Sequence, residues 1–297
     1  MRRLGSIAFA LALAAVGCTG RDSARDAGDT VRGLVRVDLS YTRAAGAAAV
    51  DANGLRFDAQ ARFVRYRAFD AASVPTILGF ADFDGLPLDG CKVSDGTAEL
   101  DEALARDTVA PTAEVALLDA GRLDLRGPVD RAVLSPRHYP ELVPFVSGVV
   151  YGGDETSPVA LALGQPFQVS GDGGSEVGAF AATVTAPRAF PSLTVDPLHR
   201  GSDLELRWSA EATSEPLLVE IKWSSRAGSR AVRCRARDDG SFSVPHDAFN
   251  ELPPTAALTS ATVTATRLAR SGLFAPGAGR GELTLALKDV ALLQVAP

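Results

Sequence analysis

Residues 231–245 read AVRCRARDDGSFSVP. Val232, Cys234 and Ala236 alternate with Arg233, Arg235 and Arg237. A period of two puts the apolar set on one face and the arginines on the other, whereas a helical period would scatter both. Asp239-Gly240 then offers a turn that tolerates positive φ, the usual hairpin chemistry, and Pro245 ends the returning strand. The stretch predicts a hairpin in an all-β fold.

The same alternation extends in both directions. In DLELRWSA (203–210) Leu204, Leu206 and Trp208 share a face, and in LVEIKWS (218–224) Val219, Ile221 and Trp223 do. Both tryptophans keep phase with core aliphatics, so they read as core and not as a sugar-stacking platform. ATVTATRL (261–268) and ELTLALKDV (282–290) follow, the latter with Leu283, Leu285 and Leu287 inward. Upstream, LVRVDLSYT (34–42) places Val35, Val37, Leu39 and Tyr41 together. In GLRFDAQARFVRYRAFD (54–70) the apolar phase moves from Leu55, Phe57, Ala59, Ala61 and Phe63 to Val64, Tyr66 and Ala68. A one-residue slip exchanges the faces, so a bulge is expected near Phe63–Val64. AEVALLDAGRLDLRG (113–127) predicts two short strands about Asp119-Ala120-Gly121, and SGVVYG (147–152), PVALALG (158–164) and QPFQVSG (165–171) predict three more. Only TAELDEALARD (97–107) suggests a short helix, with one helical turn at PHDAFNEL (245–252).

Many short half-apolar strands favour sandwiches, with one face on a core and the other in water. The expected fold is all-β, with two β-sandwich domains at 31–178 and 179–297. The boundary is placed around GAFAATVTAPRAF. LELRWS, an early strand with an inward Trp, together with the later hairpin resembles an immunoglobulin-like or fibronectin type III-like sandwich. That resemblance implies an immunoglobulin-like second domain.

The N-terminus carries a different signal. Arg2 and Arg3 precede an apolar run from Ile7 to Val16, far short of the roughly 20 residues a spanning helix needs. The run ends at Ala15-Val16-Gly17-Cys18, which resembles the lipobox of bacterial lipoproteins. The resemblance implies a signal peptide over 1–17, cleavage after Gly17 and acylation of the Cys18 thiol and its freed amine. It also implies a partner, the membrane, and a location in the cell envelope. Through the same resemblance, Thr19 in place of Asp after the cysteine implies the outer membrane of a Gram-negative bacterium. One acyl chain holds a protein marginally and two or more hold it stably, so Cys18 alone would suffice. TGRDSARDAGDT (19–30) has no apolar residue larger than Ala, which fits a flexible lipidated tether over 18–30.

The chain of 297 residues has a formal net charge of −6, and loss of Arg2 and Arg3 with the leader makes it more acidic still. That sign disfavours nucleic acid as a partner, since phosphates would be repelled. After Cys18, Cys91 and Cys234 remain. An exported protein meets an oxidising compartment, and an even pair suggests a disulfide. The two fall in different expected domains, however, so separate half-buried thiols are the favoured expectation and a bridge the alternative.

No G-x-S-x-G, H-E-x-x-H, C-x-x-C or Walker A pattern is present. GAGRGE (277–282) misses a dinucleotide fingerprint at Glu282. His138, His199 and His246 sit in separate polar or Pro-flanked segments. The acidic loops DFDGLPLDG (Asp82, Asp84, Asp89) and SGDGGSE (Asp172, Glu176) read as turns, since calcium wants six to eight oxygens. Arg233, Arg235 and Arg237 read as a solvated row that protects a sheet face. No catalytic residue, metal site or cofactor is expected. The sequence suggests a non-enzymatic envelope lipoprotein with a structural or binding role and an envelope protein or polysaccharide as partner. The alternative is a carbohydrate-binding accessory or a hydrolase whose residues converge only in the fold.

Overall fold

Period-two alternation becomes strand almost wherever the chain carries it. The computed structural model describes residues 32–45, 55–67, 69, 73–78, 83, 85–94, 114–143, 146–152, 159–211, 215–226, 228–254 and 257–296. The expected signal peptide, Cys18, the tether, Asp82, Asp84 and the 97–107 helix lie outside these residues. The first half supplies β1 (Arg32–Arg43), β2 (Leu55–Arg67), the short helix α1 (Ser73–Ile77), β3 (Gly90–Ser94), β4 (Glu114–Leu117) and β5 (Leu123–Arg126). It continues with β6 (Arg131–Leu134), β7 (Pro136–Val143), β8 (Val146–Gly152), β9 (Pro166–Gly171) and β10 (Phe180–Thr185). The second half supplies β11 (Thr194–Val195), β12 (Leu204–Arg207), β13 (Leu217–Ser225), β14 (Gly228–Ala236) and β15 (Ser241–Val244). A 3-10 turn, His246–Phe249, and the long strands β16 (Leu258–Ala275) and β17 (Gly279–Leu292) complete it.

One sheet of ten strands runs through the protein in the order β3-β14-β13-β16-β17-β1-β2-β4-β8-β7. Two smaller sheets cover different parts of one of its faces. The sheet β10-β9-β5-β6 closes a first core with Val35, Val37, Leu39, Phe63, Leu283 and Leu285 among its members. The sheet β11-β12-β15 closes a second core around Leu204, Leu206, Ile221, Trp223, Cys234 and Val263. In that unit the first, second and fifth strands (β11, β12, β15) face the third, fourth, sixth and seventh (β13, β14, β16, β17). The unit is a β-sandwich of three strands on four. Trp208 and Trp223 are both buried there, 7% and 2% exposed, in phase with the aliphatics as expected.

Several expectations need correction. β14 and β15 form, and Gly240 takes φ +107°, but the two strands are not a hairpin. β14 pairs with β13 and β3, while β15 pairs with β12. Each strand has one apolar face, and that face is equally well buried if the chain crosses the core between them. The Asp239-Gly240 turn is therefore a corner between layers.

The 178/179 division does not separate two units. β10 belongs to the first sandwich, as do Leu273, Ala275, Leu283, Leu285 and Leu287 from the long β16–β17 hairpin. β17 pairs parallel with β1, so the C-terminal strand closes the first core beside the strand that opens it. The bulge at Phe63–Val64 is absent: β1 and β2 keep one register from Arg32↔Tyr66 to Arg43↔Leu55. The phase changes because β2 is buried on both faces there. Phe63 enters the first core, while Val64 and Tyr66 pack under Val74 and Leu78 of the α1 segment.

The described residues of PVALALG, 159–164, are not a strand. The Val159 carbonyl accepts a hydrogen bond from the Tyr41 hydroxyl (2.8 Å) and the Ala160 amide donates to Asp130 (2.8 Å), so neither group is paired in a ladder. Burial, with Asp130 nearby, raises the Tyr41 pKa above its ordinary value.

Candidate binding groove

The small sheets leave the other face of the central sheet to the even-numbered residues of β1, β2, β16, β17 and β13. Register places them in rows across the strands. One row runs Leu218–Thr266–Lys288–Thr42–Arg56, and the next Leu268–Ala286–Ser40–Asp58. A third runs Arg270–Thr284–Asp38–Gln60. Together with Glu220, Thr264 and Arg36 these residues, Arg56 excepted, line a cavity of about 430 Å³.

Most of its charges are answered internally. The Arg36 Nε lies 3.0 Å from both Asp38 oxygens, and the Thr284 hydroxyl donates to Asp38 Oδ1. Glu220 is met by Arg233 Nε at 3.2 Å and Lys222 Nζ at 2.7 Å. Asp58 accepts from the Gln60 amide at 3.2 Å.

Where it is described, the connection from β2 to β3 crosses this face. Arg62 on β2 donates to the Leu78 carbonyl (2.6 Å), Phe83 lines the cavity, and Arg235 on β14 donates to the Leu86 carbonyl (3.2 Å). Burial there lowers the Arg62 pKa. Asp89 then fastens the end of the crossing. Its amide donates to the Arg235 carbonyl (2.6 Å) and its carboxylate accepts from the Arg237 amide (3.0 Å). The arginine row is therefore not simply solvated, because each member has a partner within the chain.

Cys91 and Cys234 stand opposite each other in the β3–β14 register and form a disulfide, with Cα atoms 4.1 Å apart. The expectation of separate thiols rested on a division that the central sheet does not respect. β3 comes from the first half of the chain and closes the edge built by the second.

His138 is exposed on β7. His199 and His246, distant in sequence, line one small cavity of about 150 Å³ with Arg200, Ser202 and Asn250. Asp203 accepts from the His246 amide (2.8 Å) and faces its Nδ1 (3.1 Å). These contacts, the amide first, hold the Asp203 pKa below the usual carboxylate range.

Glu176 accepts from the Asp119 amide at 3.0 Å, while Asp172 is exposed. Among the described residues no cluster of three His, Cys, Asp or Glu could hold a metal ion. Also among them, no helix is long and apolar enough to cross a membrane. The sequence reading missed the groove hydroxyls. Their signal was present in TVTATRL, where Thr262, Thr264 and Thr266 occupy the face opposite the core.

No family model matches the chain, and no curated protein matches it. Among solved structures it is similar to the Fcho1 Mu homology domain of Danio rerio, a structure with a bound peptide. That match has 9% identity and a TM-score of 0.25, and covers 89% of this chain and 97% of the other. At that score the likeness carries no argument about fold or function.

Proposed function

We propose that the protein is a lipid-anchored component of the cell envelope that binds a polar ligand or partner across the free face of its central sheet. It has no catalytic role in this reading. The observation that carries it is the cavity of about 430 Å³ floored by Ser40, Thr42, Thr264, Thr266 and Thr284 and edged by ion pairs. A rigid sheet presents these groups at fixed spacing, which suits recognition of a polar molecule, with few polar groups left to rearrange on binding. The lipobox at Cys18 supports the anchor, and the acidic chain supports a partner other than nucleic acid. The outer membrane is the proposed site.

The test couples anchor and groove. Cys18→Ser should move the protein from the membrane to the soluble fraction or leave its leader uncleaved. Thr266→Trp should fill the groove and abolish retention of envelope polysaccharide or envelope protein by the immobilised protein. Unchanged membrane fractionation of the first variant with normal cleavage, or a wild-type N-terminus that is unacylated and lies elsewhere than Cys18, sinks the anchor. Unchanged retention by the second sinks the groove.

A hydrolase is the second reading, favoured by the Asp203–His246 contact beside a cavity, since a carboxylate-oriented imidazole suits general base chemistry. Hydrolytic activity lost in His246→Ala would establish it.

A further inference from the structure

Lys288 occupies the centre of the groove and is one of three lysines in the chain. It is half-buried, and among the described residues it has neither an ion pair nor a hydrogen bond. Every register neighbour on its face is neutral. Thr42 and Thr266 stand directly across on the two flanking strands, Ala286 and Val290 precede and follow it, and Ser40, Leu268 and Thr264 lie on the diagonals. The groove carboxylates of Asp38, Asp58 and Glu220 lie farther off, and each already has a partner. An ammonium with three donors is thus ringed by four hydroxyls that both donate and accept. Elsewhere on this face opposite charges meet; here no group among the described residues answers the cation.

We propose that Lys288, with Thr42, Thr266, Ser40 and Thr264, forms a subsite for an oxyanion carried on a hydroxyl-rich ligand. The ligand is an acidic saccharide whose carboxylate or phosphate seats on the ammonium while its hydroxyls meet the threonines. This rests on the groove being the binding face. A charge-assisted hydrogen bond to Lys288 separates charged from uncharged saccharides more sharply than neutral hydroxyl contacts do.

The experiment is calorimetric titration of the full-length protein in detergent with three probes: an oligogalacturonide, glucose 6-phosphate and uncharged maltotriose. Wild type should bind at least one charged probe about tenfold or more tightly than maltotriose. Which charged probe wins distinguishes a carboxylate from a phosphate source. Lys288→Met should abolish the preference, Lys288→Arg should keep most of it, and Thr42→Val should weaken both charged and uncharged binding. Equal affinity for maltotriose and the charged probes overturns the oxyanion subsite but leaves the groove in place. A preference that survives Lys288→Met overturns it as well. Binding of no probe at millimolar concentration overturns both the subsite and saccharide recognition by the groove.

Discussion

Arg267 and Asp238 meet through two hydrogen bonds, Nε to Oδ2 at 2.7 Å and Nη2 to Oδ1 at 2.8 Å, where both side chains are almost wholly buried. Arg267 lies on the inward face of β16, in phase with Val263 and Ala265 of the second core and Leu273 and Ala275 of the first. Its other donors reach the carbonyls of Ala189 (2.8 Å) and Ser209 (2.6 Å), and the Trp208 indole donates to Asp238 (2.9 Å). Nearby, Arg43 pairs with Asp289 on the inward face of β17, and Asp289 also accepts from the Leu193 amide at 2.6 Å. The long hairpin changes from one core to the next at these two charged positions.

Removing one partner of such a pair strands the other charge in a poorly solvated site. Arg267→Met is expected to destabilise the protein by about 3–5 kcal/mol, and adding Asp238→Leu should restore part of the loss. Urea unfolding of the two single variants and the double variant measures it. A double variant no more stable than Arg267→Met would show that the pair is not the source of the loss.

The parallel β1–β17 contact is close enough to exclude a side chain. A Cβ on Gly281 would lie 1.8 Å from the Val35 carbonyl oxygen, whereas one on Gly272 would meet nothing within 4 Å. Gly281→Ala should therefore cost at least about 2 kcal/mol by forcing the strands apart. Gly272→Ala should be neutral or stabilising by up to about 1 kcal/mol. Thermal unfolding of both proteins checks the contrast, and equal melting temperatures would refute the close approach.

The disulfide joins residues separated by 143 positions, so it restricts a large part of the unfolded chain. Replacing both Cys91 and Cys234 with Ser is expected to cost about 2–5 kcal/mol. Amide exchange should quicken in β3, the edge strand at the end of the crossing, before it quickens in β1. Two free thiols in the unreduced native protein, counted by mass spectrometry, would contradict the bridge.

Asp119 is expected to give the stability a pH dependence of defined sign. It accepts from the Gly121 amide (2.8 Å), the Ser175 hydroxyl (3.3 Å) and the Tyr151 hydroxyl (3.3 Å). These contacts, the Gly121 amide foremost, hold its pKa below the usual carboxylate value. A depressed folded pKa means stability that is present above about pH 4 and is lost as pH falls through the folded value. Asp119→Asn should cost about 1 kcal/mol at neutral pH and flatten that acid limb. Urea midpoints across pH 2–7 measure it, and an acid limb as steep as wild type would remove Asp119 as its origin.

How far the sequence could be read depended on the range of the interaction. The Leu204–Trp208 and Leu217–Trp223 strands were legible because burying one face is a local requirement written in alternate residues. The charged residues in phase with the core, Arg267 after Val263 and Ala265 and Asp289 after Leu287, were equally visible as breaks in the pattern. What they broke for was not visible, since the junction needs two cores to exist. The groove was half legible: its threonines alternate, but their alignment with Ser40, Thr42 and Lys288 comes from a parallel pairing between the two ends of the described chain.

The sequence by itself determined that the chain forms strands, which residues face inward in the clearly alternating strands around Val35, Leu204, Val219, Val232 and Leu283, and where Gly240 must turn. Only the tertiary structure decided that β14 and β15 part into different layers, that β1 lies beside β17, and that Cys91 meets Cys234. The physical reason is that side-chain alternation selects a face, whereas backbone hydrogen bonds, identical at almost every residue, leave the neighbouring strand to be chosen by packing of the whole.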